Sequence, residues 1–77
     1  MLDFWVKQAE GGWIVTVGGR QVLGPFPDKH LLIIAACDMA RNQAGPMLAT
    51  RVIVRDENGA ERPAGIFGPK SKGPRPL

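Results

Sequence analysis

The stretch PDKHLLIIAACDMARNQAG, residues 27–45, decides the fold, because it is the one long segment with helical periodicity. Turning at about 100° per residue, Leu32, Ile33, Ala36, Cys37, Met39, Ala40 and Ala44 fall within an arc of about 160°, the face that must be buried. His30, Asp38, Arg41 and Asn42 take most of the opposite side. Asp28 is placed as N-cap: its carboxylate accepts from free N–H groups of the first turn and faces the positive end of the helix dipole. Gly45, expected in a left-handed conformation, and Pro46, which cannot continue a helix, mark the other end. Alanines on the buried stripe allow close approach to a layer beneath. Leu31 and Ile34 break the pattern. They are apolar, share one side of the helix at a spacing of three, and project among the polar residues.

The flanks supply that layer. Residues 2–8 alternate, with Leu2, Phe4 and Val6 on one side and Asp3, Trp5 and Lys7 on the other. After a glycine-containing turn, Trp13, Val15 and Val17 line one face of a second strand, with Ile14 and Thr16 opposite. Gly18-Gly19 is a two-residue hairpin signal, since primed turns need positive φ at their centre. Residues 20–23 then return as a short third strand, and Phe26 is expected to plug the end of the core. Beyond the helix, Leu48, Thr50, Val52 and Val54 alternate with Ala49, Arg51, Ile53 and Arg55. The turn at residues 56–59 leads into residues 60–67, a last strand or extended segment that Pro63 confines to a sheet edge. The expected architecture is α+β: an antiparallel sheet of four to five strands with one helix on one face, in the order β-β-β-α-β-β.

Composition bounds the function. Seventy-seven residues make one small domain, taken as residues 1–67. One cysteine excludes an internal disulfide, and no Cys/His cluster offers a metal site. Nothing resembles a signal peptide or the roughly 20 apolar residues that span a bilayer, so a soluble cytoplasmic protein without a cofactor is expected. The net charge of +3 is uneven. Residues 1–67 hold seven basic and seven acidic side chains, and the excess is Lys70, Lys72 and Arg75. Those three lie in residues 68–77, GPKSKGPRPL, a Pro-rich basic tail too poor in apolar residues to order itself.

The chain resembles a family of small bacterial domains of unknown function. The residues that carry the resemblance are Gly12-Trp13-Ile14-Val15, Phe26, Lys29, Ala35-Ala36, Met39-Ala40, residues 56–59 with their D-x-x-G pattern, and Phe67-Gly68. It runs over residues 4–68 and implies the fold above, a bacterial or phage-like origin and no established activity. Members of that family usually have charged residues where Leu31 and Ile34 stand here.

No catalytic constellation emerges, and an enzyme is not expected. His30 is the only histidine and lies in the first helical turn without an orienting partner; Cys37 lies at the rim of the apolar arc. Two surfaces remain as candidates. The first is a protein interface on the helix, with Leu31, Ile34, Asp38 and Arg41, fitted to an unknown protein or to a second copy of the chain. The second is a nucleic-acid face formed by Trp5, Lys7, Arg51 and Arg55 on the open side of the sheet, aided by Lys70, Lys72 and Arg75. There an aromatic ring among cations could stack a base and neutralise phosphates.

Overall fold

The computed structural model describes residues 1–68. Five strands and one helix follow in the expected order: β1 (Leu2–Ala9), β2 (Gly12–Val17), β3 (Arg20–Phe26), α1 (Lys29–Gln43), β4 (Thr50–Arg55) and β5 (Glu61–Phe67). They form one α+β unit, a five-stranded sheet in the order β3-β2-β1-β4-β5 with the helix on one face. The expected tail, apart from Gly68, lies outside the described residues.

The sheet is mixed rather than wholly antiparallel. β1–β2, β2–β3 and β4–β5 are antiparallel hairpins, but β4 lies parallel to β1, pairing Phe4 with Val52 and Trp5 with Ile53. Direction alternates along the chain, so β3 runs with β1. One helix then returns the chain to its starting end, and β4 must also run with β1. A parallel neighbour needs a long crossover, which α1 supplies.

The core is the meeting of two stripes. Phe4, Val6, Trp13, Val15, Val52 and Val54 from the sheet close on Leu32, Ala36 and Ala40 from the helix. Leu2, Val17, Leu23, Ile33, Cys37, Met39, Ala64 and Phe67 pack around them. Thr50 is a fully buried polar member, and its hydroxyl donates to the Ala40 carbonyl at 2.7 Å, fastening β4 to the helix. Phe26 does not plug the core; it is 45% exposed, at the margin of the groove described below. Leu48 stays outside the core cluster, because β4 begins only at Thr50 and residue 48 bridges back to Gly45.

The helix ends confirm one expectation and correct another. Asp28 accepts from the His30 N–H at 2.9 Å, a true N-cap. Gly45 is not the left-handed residue at the other end. Ala44 caps the helix in an extended conformation, its N–H bonded to the Ala40 carbonyl, and Gly45 pairs with Leu48 instead. The Gly18-Gly19 turn takes the two positive φ values expected, 59° and 81°. Gly24, at φ 94°, lies so close to β2 that an added Cβ would run into the Trp13 carbonyl, at a point where the register between the two strands is irregular.

Candidate functional site

Leu31 and Ile34 are exposed to 60% and 61%, so neither the segment entering the helix nor Ile66-Phe67 covers them. Phe67 packs toward the core, while Ile66 pairs with Arg51 on the opposite face of the sheet. Leu31 forms one wall of an apolar groove of about 280 Å³ between α1 and β3, lined also by Leu23, Phe26, Pro27, Asp28, Leu32 and Ala35. A second groove on the same side, about 420 Å³, has a floor of Leu2, Phe4, Val17, Val22 and Met39 and a rim of Asn42 and Gln43. Asp38 and Arg41 sit beyond Ile34, both strongly exposed and ion-paired at 3.1 Å. The Arg41 guanidinium also lies 5.2 Å from the centre of the Phe67 ring. The four residues named from the sequence thus form one helix face: an apolar centre with a neutralised pair at one end. What sequence reasoning missed is the groove beside it, since Leu23, Phe26 and Pro27 come to that face only through the third strand's position at the sheet edge.

The open sheet face gathers Trp5, Lys7, Arg51 and Arg55 as expected, but its cations are largely committed. Arg51 makes a two-pronged contact with Asp3, at 3.2 and 2.9 Å, which holds the guanidinium above its ordinary pKa. Arg55 bonds Glu61 at 2.6 Å and lies 5.7 Å from the centre of the Trp5 ring. Only Lys7 of the three cations has no acidic partner among the described residues. Ile14 and Thr16, expected to be open to solvent, are buried, because the larger side chains of Lys7 and Trp5 stand directly opposite them. Ile66, 62% exposed, adds apolar surface there. Lys70, Lys72 and Arg75 lie outside the described residues.

The remaining titratable groups are structural or solvated. The Lys29 ammonium bonds Asp56 at 3.2 Å and Glu57 at 3.3 Å while lying 5.2 Å from the centre of the Trp13 ring. The contact with Lys29 holds Asp56 below the usual carboxylate range and raises the lysine. Glu57 is held low first by a backbone hydrogen bond and then by Lys29. This cluster ties the start of α1 to the β4–β5 turn. Burial pushes the Cys37 thiol up, away from thiolate reactivity. His30 stands in solvent with Asp28 4.0 Å away. Among the described residues no group of three or more His, Cys, Asp or Glu side chains is placed to hold a metal, and no helix is long and apolar enough to cross a membrane. Compared with family models, with curated proteins and with solved structures, the chain finds no match.

Proposed function

We propose that this chain is a non-enzymatic protein-interaction module that docks through the outer face of α1. The observation that carries this reading is the exposure of Leu31 and Ile34 beside the apolar groove formed with Leu23, Phe26 and Pro27. Single exposed apolar residues are ordinary, whereas a contiguous apolar patch rimmed by charge marks a docking surface. Burying both side chains contributes roughly 3–5 kcal/mol before the costs of association. Strand addition is the less suitable mode, because each sheet edge carries a proline and an irregular register: Pro25 in β3 and Pro63 in β5. The setting we propose is the cytoplasm, since a lone cysteine asks for no oxidising compartment.

A photo-crosslinking residue placed at position 34, with a control at position 7, tests this. A partner captured from position 34 alone, which then binds the purified chain but not its Leu31→Glu, Ile34→Lys variant, is the expected result. Adducts only from position 7 would contradict it. The second reading, nucleic-acid binding by Trp5, Lys7, Arg51 and Arg55 with the tail cations, draws on the Trp5 ring beside Arg55. The pairing of Arg51 with Asp3 and of Arg55 with Glu61 weakens it. A salt-dependent gel shift with single- and double-stranded oligonucleotides, abolished by Trp5→Ala, would restore it.

A further inference from the structure

We propose that the partner of the α1 face is a second copy of this chain, docked about a two-fold axis near Ile34 with the two helices antiparallel. The inference rests on the docking reading above and names its occupant. Five strands at about 4.8 Å spacing span roughly 20 Å, whereas one helix is about 10 Å across, so α1 alone cannot cover its side of the sheet. On the β5 side Phe67 and Ala64 pack against the core, with a recess of about 450 Å³ at the far end between Arg41, Ala44, Pro46 and Phe67, and on the β3 side the margin is the apolar groove beside Leu31. The same face therefore presents an exposed apolar ridge, Leu31 and Ile34, directly beside an apolar recess, and a two-fold contact requires one surface to supply both halves. The charges fit the same arrangement. Asp28 lies six residues before Ile34 and Arg41 seven after it. Antiparallel helices crossing at Ile34 set each copy's Asp38–Arg41 pair level with the other copy's His30 and Asp28, Arg41 across from Asp28, so that no like charges meet. A parallel pair would bring the two Asp38 side chains to one level and the two Arg41 side chains to another. A weak dimer of this kind needs an interface of about 1,200 Å², roughly 600 Å² from each copy.

Near a two-fold axis position 34 meets itself, and this gives a test that no foreign partner can imitate. Ile34→Glu and Ile34→Lys are made separately in the full chain and examined by sedimentation, alone and mixed in equal amounts. The unmodified chain is expected to associate between about 0.1 and 1 mM. Each variant alone, placing like charges at the axis, is expected to be monomeric with an unchanged melting temperature. The mixture, pairing Glu with Lys, is expected to recover association at least tenfold over either variant. An unmodified chain that stays monomeric at about 1 mM overturns the inference, as do variants that still dimerise or a mixture that stays monomeric. None of these failures removes a foreign partner, which the crosslink at position 34 decides separately.

Discussion

Trp13 is 6% exposed within the same cluster as Leu32 and Ala36, with the Lys29 ammonium lying over its ring. Trp13→Ala is expected to cost about 3–5 kcal/mol, enough to unfold much of so small a domain, as read by denaturant titration. A melt close to that of the unmodified chain would place Trp13 outside the core. Thr50→Val keeps the shape but removes the hydroxyl bonded to Ala40, and about 1 kcal/mol is the expected loss. The Lys29 cluster makes a prediction about pH. Asp56 and Glu57 titrate below their ordinary values of 3.8 and 4.5, so between the folded and ordinary values the unfolded chain binds more protons. Their contribution is complete above pH 4.5 and is lost as pH falls through the folded values. Lys29, raised above 10.5, contributes below that value and loses its contribution only as pH rises past it. The melting-temperature gap between the unmodified chain and Lys29→Met should therefore be constant from about pH 5 to 8 and narrow in acid. A gap independent of pH below 4 would show that the cluster is not what separates the two. Trp13 and the Asp28 cap were legible from local pattern alone. The Thr50 bond and the Asp3–Arg51 pair were not, because each joins elements whose register is set only by the assembled sheet.

At the scale of elements, alternation placed nearly every strand residue on its face, since one face had to meet a helix whose stripe was already plain. It failed where a residue's surroundings come from an edge. Phe26, large and apolar, has the character of a core residue, yet β3 is an edge strand and α1 does not cover it. The end of α1 differs from its local pattern for a similar reason: a glycine followed by proline favours a left-handed cap, but the pairing of Gly45 with Leu48 holds it otherwise. Leu31 and Ile34 lie outside the core stripe in the sequence and are exposed in the structure, while the groove beside them depends on the third strand's position. Surface substitutions away from packing or caps change stability by no more than about 0.5 kcal/mol. Leu31→Glu with Ile34→Lys, two such substitutions, should then leave the melting temperature of a dilute sample within about 8 °C of the unmodified chain. A fall of more than about 10 °C would make the pair part of the fold and not a docking surface.

Across the whole molecule, a single helix on a five-stranded sheet leaves two broad surfaces, and charge distinguishes them. The open sheet face has its arginines engaged by Asp3 and Glu61, while the outer helix face keeps an apolar centre with no other element over it among the described residues. The parallel β1–β4 pairing that sets this layout follows from counting chain reversals, a step that strand patterns taken one at a time do not reveal. The layout predicts a chain that meets another protein through α1, and its simplest form is a pair of identical chains. Sedimentation equilibrium on the unmodified chain, from about 10 µM to about 1 mM, tests that most directly. The account predicts a weight-average mass that climbs from 8.3 kDa toward roughly twice that value across the series. A mass that holds at 8.3 kDa to the highest concentration would contradict the pairing of identical chains through α1.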